Sequence, residues 1–436
     1  MTTYLRKLGL FSGTMAVVGG IIGGGIFRTP ATVAERLGTP GAVLTTWVAG
    51  GVVALIGAFV WGELGQRRPQ AGGGYVYLRE TFGPLPAFLY AWTLVLVIAT
   101  GAIAAVAVTF ADYTLALFGA SHRYSVALAV AAIVALSGIN YVGVRPAAIT
   151  QNIFTVLKLA AIAALIATGL VLGVPLPPPH LAAPSPSPHL AAFGAALVPV
   201  LFTYGGWQQT NFIAEEIIEP ERNLPRALVL GVVIVVTVYL LTNLAYLRVL
   251  GRAGLAASTA PAADIMQAVL GPVGGKVIAA GIAVSTFGFL NLVIMVTPRV
   301  LQAMAADRLF FQQLAVLHPV YHTPTLAILA LGVCAVILTL TGTFGQLVDY
   351  VTFGDWIFFG LTAACVFVYR RRESGVGPDS RVTVRVPGYP YTVALFVVAA
   401  AFVVFSAISS NPKNAAIGAG LIALGVPAFL YWRSRL

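Results

Sequence analysis

Apolar stretches of roughly 20 residues alternate with short polar joints along this chain, each stretch long enough to cross a hydrocarbon core as a helix. Marked off in order, they predict twelve spans, near 10–35, 42–65, 85–113, 125–142, 148–173, 191–218, 225–249, 266–303, 324–341, 348–370, 391–409 and 414–432. An even number puts both termini on one side. With the N-terminus inside, about seventeen Lys and Arg fall in cytoplasmic segments and about six outside, as the positive-inside rule requires. The inner set includes Arg6, Lys7, Arg67, Arg68, Arg79, Arg222, Arg226 and the run Arg370, Arg371, Arg372.

Two of these runs are interrupted by glycine. The first carries "VVGGIIGGGIFRTP" at 17–30. Each glycine costs a helix about 1 kcal/mol relative to alanine, so Gly23, Gly24 and Gly25 in succession should open it. Broken backbone inside a membrane is tolerated only where protein, water or a ligand satisfies its N–H and C=O groups. Helix packing is the competing explanation, because Gly19 with Gly23, and Gly20 with Gly24, are spaced as small-xxx-small contacts. The sixth run, "LFTYGGWQQTNFIAEE" at 201–216, is interrupted in turn at Gly205 and Gly206. Glycine-broken spans in corresponding positions of two halves point to a transporter built from inverted repeats, a correspondence that packing alone does not predict.

Paired breaks suit a particular ligand chemistry. A half-helix N-terminus aims unpaired N–H groups and a positive dipole end at an anion. The half-helix that ends at the break offers carbonyls to a cation. The α-carboxylate and α-ammonium of an amino acid match both ends, leaving the side chain to its own pocket.

Composition excludes other classes. Of 436 residues, 59% are hydrophobic and 9% charged, with a mean hydropathy of +0.92, whereas soluble domains carry about 25% charged residues. The net charge of +11 follows the predicted topology, so nucleic-acid binding is not expected. The first apolar run is too long for a secretory signal core and lacks a clean cleavage site. Cys334 and Cys365 fall inside predicted spans and read as small buried hydrophobes. His122, His180, His189, His318 and His322 lie in loops or at span ends without metal-ligand spacing. No metal, cofactor or catalytic pair is therefore expected, and no enzyme. "PLPPPHLAAPSPSPH" at 175–189 reads as a semi-stiff external linker.

Six segments together resemble one family. They are "GGIIGGGIFRTP" (19–30), "GELGQRRPQAGGGYVYLRETFG" (62–83), "QNIFTVLKLA" (151–160), "FTYGGW" (202–207), "EEIIEPERNLPRA" (215–227) and "STFGFLN" (285–291). In this order they are similar to the amino acid–polyamine–organocation superfamily, and within it to the L-type amino acid transporters. The resemblance implies an all-α polytopic membrane protein of twelve transmembrane helices, with a five-plus-five inverted repeat and broken helices 1 and 6. It divides the chain into a first repeat at 1–173, an external linker at 174–190, a second repeat at 191–370, and a cytoplasmic loop with helices 11 and 12 at 371–436. Spans 1, 2, 6 and 7 would form the moving bundle, 3, 4, 8 and 9 the scaffold, and 5 and 10 the arms.

The same resemblance implies a substrate site. Its carboxylate position falls on the backbone N–H groups of Gly24 and Gly25, beside Gly23, and its ammonium position on carbonyls of Ile21, Phe202 and Gly205. Phe202 would cover the occupied site. Many relatives have serine where this chain has Gly24, so the site would depend more on backbone donors. Gly205 and Gly206 leave room for neutral side chains up to branched or aromatic size. Gln208 would touch that side chain or serve only in packing.

Three further features carry expectations. Lys158 lies about ten residues into span 5, roughly 15 Å from the cytoplasmic end, too deep for its stem of about 6 Å to snorkel. The resemblance puts its ammonium where sodium-coupled cousins hold Na⁺, between carbonyls near Gly20 and the hydroxyl of Ser285. Arg28 and Asp355 would form an outer gate; alternatively Arg28 snorkels, and Asp355 bonds a neighbouring N–H or points inward to favour cationic or polar side chains. The 62–83 segment reads as a structured cytoplasmic loop at an inner gate rather than a flexible one. Glu215, Glu216, Glu219, Glu221, Arg222 and Arg226 read as a solvated, mutually paired end or as contacts to that loop.

The loop at 119–124, "GASHRY", lacks the cysteine through which animal relatives are linked to a heavy chain, so no disulfide-linked partner is expected. The expectation is a bacterial cytoplasmic-membrane carrier with amino acid and lipid as its partners. It would move neutral L-amino acids by alternating access, through sodium-independent exchange. A proton-coupled symporter is the alternative within the fold; a channel or a membrane-embedded sensor is the alternative from another class.

Overall fold

The computed structural model describes residues 3–174, 176, 189–342, 344–376 and 382–435. Among them there are no named strands, only an isolated parallel bridge between Leu8 and Ile217. Eight helices are long and apolar enough to cross a membrane, and a bent pair brings the number to nine. That pair is span 1, Leu10–Ile21 (1a) and Gly25–Arg36 (1b), bent by 44°. Span 6, His189–Thr203 (6a) followed by the 3₁₀ segment Trp207–Glu216 (6b), span 9 at Thr325–Thr341 and span 10 at Phe344–Val376 complete the twelve.

Proline writes many of the starts. Span 2 (Pro40–Arg67), span 3 (Pro84–Phe118), span 7 (Pro220–Ala257) and span 8 (Pro272–Ala306) each open on proline, whose fixed φ and missing N–H cost nothing at a first turn. The predicted eighth span, 266–303, therefore needs correction. Gly271, with φ at +63°, and Pro272 end one helix and begin another, so Pro261–Leu270 stands apart from span 8. A further short helix, Gly74–Phe82, follows span 2. Residues 177–188 of the proline-rich linker lie outside the described residues.

The helix pairs follow the repeat. Span 2 packs along span 7, span 3 along span 8, and span 4 (Ser125–Tyr141) along span 9. Span 1a meets 6b while 1b meets 6a, so the two broken helices run in opposite directions past each other. Spans 1, 2, 6 and 7 form one packed group; spans 3, 4, 8 and 9 form another. Span 5 (Val144–Leu172) lies against 1a, 7 and 8. Both breaks thus lie side by side, and span 3 faces them with a π-helical turn, Leu94–Ala99. Such turns widen a helix locally and recur at functional sites.

Candidate functional site

The glycine runs divide by task. A side-chain carbon at Gly19 would lie 2.0 Å from Gln151 Nε2, and one at Gly20 would lie 2.9 Å from the Gly206 carbonyl oxygen. These two glycines let span 1a approach span 5 and the second break. At Gly24, in contrast, nothing lies within 4 Å, and at Gly23 the nearest atom belongs to Phe289 at 3.8 Å. Packing and opening are both true, of different glycines.

After Ile21 the chain turns extended at Ile22 and re-enters a helix at Gly25. A helix leaves its first N–H groups without intrahelical acceptors, and among the described residues nothing takes up those of Gly24 and Gly25. In the second break, Gly205 N–H donates to the Phe202 carbonyl at 3.0 Å. The φ of +118° at Gly206 belongs to the region that favours glycine, and a side chain there would collide with the Gly20 carbonyl at 2.2 Å.

Between the breaks lies a cavity of about 340 Å³ with walls from spans 1, 3, 6, 8 and 10. Ile21, Gly23, Gly24, Gly25, Phe202, Gly205 and Gln208, all named from sequence, line it together with Asp355. Gln208 has a definite local role: its Oε1 accepts the Gly206 N–H at 3.0 Å. The Ile21 carbonyl already accepts from Gly23 N–H at 3.0 Å and from the Tyr239 hydroxyl at 3.1 Å. Phe202 lines the cavity and is 53% exposed.

Lys158 is completely buried, and its ammonium donates to the carbonyls of Gly19 at 3.2 Å and Ile22 at 2.7 Å. Ser285 Oγ approaches the same Ile22 oxygen and that of Gly23, each at 3.4 Å. Spans 5 and 8 thereby meet span 1 at its break, around carbonyls that have lost their helical donors.

The proposed gate of Arg28 with Asp355 is not formed. Arg28 is exposed on span 1b, and among the described residues no ion pair joins it to Asp355. Span 10 begins at Phe344 rather than near 348. At 1.5 Å of rise per residue, Asp355 then sits about 16 Å along the helix, where it lines the cavity, whereas Arg28 is not among the lining residues.

Opposite faces of the molecule differ. On the face carrying the N-terminal segment, Arg299 pairs with Glu216 at 2.7 Å, both fully buried. Lys7 and Leu8 N–H groups donate to the Glu216 carbonyl at 2.9 and 3.0 Å, and Ile218 N–H returns to Leu8. Glu63 takes Arg67 at 2.7 Å, Arg370 at 2.6 Å and the Val386 N–H at 2.7 Å; Arg67 also pairs with Glu373. Arg79 bonds Asp307, whose charge and hydrogen bonds raise the guanidinium pKa despite the opposing effect of burial. The 62–83 loop is ordered against the end of span 6, with Gly72 N–H on the Phe212 carbonyl at 3.0 Å and Ala71 N–H on Glu215 at 3.2 Å. Glu219 and Arg222 are instead a loose solvated pair, 3.9 Å apart. Beyond the first break, on the side of span 1b, Gly24 and Arg28 are exposed, as is Phe202 near the end of span 6a.

Sequence reading missed Tyr239. It is a fully buried aromatic in the apolar run of span 7, packed edge-on against Trp47 and tilted against Tyr204, and nothing local marks its hydroxyl as a tie between Ile21 and Thr203 (3.1 and 3.4 Å to their carbonyls). It also missed the hydroxyl pair of Thr29 with Thr203 at 2.8 Å, which joins 1b to 6a. Cys334 was expected to be buried but faces outward; Cys365 is buried. An outward position in a span exposes a small apolar side chain to lipid at little cost.

Residues 8–431 match the family described as "Amino acid permease". The chain is 34% identical over 414 residues to the b(0,+)-type amino acid transporter 1 of Homo sapiens, covering 92% of this chain and 83% of that protein. It is 31% identical over 442 residues to the large neutral amino acids transporter small subunit 2 of Mus musculus, covering 99% of this chain and 82% of that protein. With matching helices, paired breaks and a cavity between them, the chain belongs to the amino acid permease family of the amino acid–polyamine–organocation superfamily, on its L-type branch, and its activity is amino acid transport.

Proposed function

We propose that the protein moves L-amino acids, neutral ones among them, by alternating access and sodium-independent exchange. The observation that carries this reading is the pairing of the two breaks across one cavity. The Gly24 and Gly25 N–H groups offer two donors to an α-carboxylate, reinforced by the positive end of span 1b. Carbonyls at the breaks, those of Phe202 and Gly205 included, receive the α-ammonium. Apolar walls from span 3 and Phe289 accommodate an uncharged side chain.

Lys158 supports independence from sodium, because its ammonium already occupies a nest of carbonyls suited to a small cation. The basic face, knit together by its ion pairs, is assigned to the cytoplasm on its Arg and Lys content, with both termini there. The protein is taken to work in a cytoplasmic membrane without a disulfide-linked heavy chain, since the 119–124 loop has no cysteine. Proton symport is the second reading, favoured by one observation: the partners of buried Lys158 are neutral carbonyls, which leave it chemically able to release a proton.

Purified protein in liposomes decides among these. Labelled amino acid uptake is measured with and without internal amino acid, with and without Na⁺, and with and without a pH gradient. Exchange predicts strong stimulation by internal amino acid and indifference to Na⁺. Uptake driven by the pH gradient alone would favour symport, and unsaturable, non-stereoselective flux would indicate a channel.

A further inference from the structure

Asp355 is the acid that lines the transport cavity, and the described residues give it neither an ion pair nor a hydrogen bond. Its wall neighbours on span 10 are Trp356 and Phe359. A carboxylate among such residues is costly to keep ionised unless a cation is brought to it. The molecule does not supply that cation from nearby elements: Lys158 is held by the Gly19 and Ile22 carbonyls, and Arg28 is exposed on span 1b without a pair to it. The breaks, meanwhile, account for both charges of an amino acid's head group. A second acceptor lies on the same lining, because Gln209 Oε1 is buried with no hydrogen-bond partner.

We infer that Asp355 is a specificity-determining residue that recognises a cationic side chain, so that arginine- and lysine-like amino acids enter the same cavity as neutral ones. This deepens the transport reading above and rests on it. Head group and side chain are recognised separately: the backbone at the breaks reads the zwitterion, and span 10 reads the far end of the side chain. A cationic substrate brings the one charge that the loaded cavity lacks. A neutral substrate leaves Asp355 to protonate or to hold water, at a cost in affinity that polar, hydrogen-bonding side chains reduce.

The test compares L-arginine with L-citrulline, which share a shape and differ in charge, as competitors of labelled L-leucine uptake in proteoliposomes without a membrane potential. Wild type is expected to be inhibited by arginine at a concentration at least tenfold below that for citrulline. Asp355→Asn is expected to bring the ratio close to one. Ligand-induced thermal stabilisation of the purified variant gives the same ratio if its transport is slow. Equal or weaker competition by arginine in wild type overturns the inference whatever the variant does, and so does a ratio unchanged in Asp355→Asn. Wild type that responds to no amino acid at all would instead overturn the transport reading itself.

Discussion

The ammonium of Lys158 stands 2.7 Å from the carbonyl oxygen of Ile22, the residue at which span 1 leaves its first helix. Span 5 is thus tied to the break through a cation hydrogen-bonded to the carbonyls of Gly19 and Ile22. Charge-assisted hydrogen bonds of this kind are worth about 1.5–3 kcal/mol each, or roughly tenfold to over a hundredfold in affinity. Lys158→Ala should weaken substrate binding or net flux by at least the lower figure, measured as half-saturation and maximal rate of uptake. Wild-type uptake that required Na⁺ would sink the assignment of this ammonium to an ion's place.

Gly24 and Gly206 should respond oppositely to added side chains. At Gly24 there is open space, so Gly24→Leu is expected to give folded protein that binds nothing, its side chain standing where the ligand would. Gly205→Leu should likewise block binding, because it lines the same cavity. Gly206→Ala drives a carbon into the Gly20 carbonyl at 2.2 Å and strains a φ of +118°, which alone costs about 1–3 kcal/mol. It should therefore lower the thermal stability of the detergent-solubilised protein. Normal transport by either leucine variant would remove the site from between the breaks.

Tyr239→Phe removes a hydroxyl from between the two broken helices and little else. The Ile21 carbonyl keeps its Gly23 donor, so the loss is that of one hydrogen bond, about 1 kcal/mol. Affinity should fall several-fold while expression and folding persist. An unchanged half-saturation concentration would show that the tie has no part in shaping the occupied site.

The buried pair of Glu216 with Arg299 should be costly to halve and cheap to replace. Either Glu216→Ala or Arg299→Ala leaves a buried charge alone, a loss of about 3–5 kcal/mol. The double replacement Glu216→Leu with Arg299→Met leaves none, and should be closer to wild type than either single change in thermal unfolding. A double variant as unstable as the two losses added together would mean that the pair contributes through something other than mutual neutralisation.

Chain-level features of the fold were legible from residue pattern because they are local. Apolar length sets a span, proline marks a first turn, and a glycine triplet cannot hold a helix in lipid. Hence the spans, the two breaks, the burial of Lys158 and the ordered 62–83 loop all appear in the sequence. The eighth span was drawn too long because hydropathy does not register a turn at Gly271 and Pro272, where the flanking residues are apolar too.

What only tertiary structure decided was which of several equivalent residues meets which partner. Sequence alone determined that Gly23, Gly24 and Gly25 should open the helix, and left helix packing as the rival role for the glycine run. The packed fold assigned Gly19 and Gly20 to close approach against Gln151 and Gly206, and left Gly23 and Gly24 facing the cavity. Likewise, sequence placed an acid in span 10 and an arginine after the first break. Only the packed structure shows Asp355 in the cavity lining and Arg28 exposed outside it, with no ion pair between them among the described residues. Propensity and hydropathy are properties of neighbours along the chain, whereas a contact between spans depends on rotation and depth, which are fixed by all the helices packing at once.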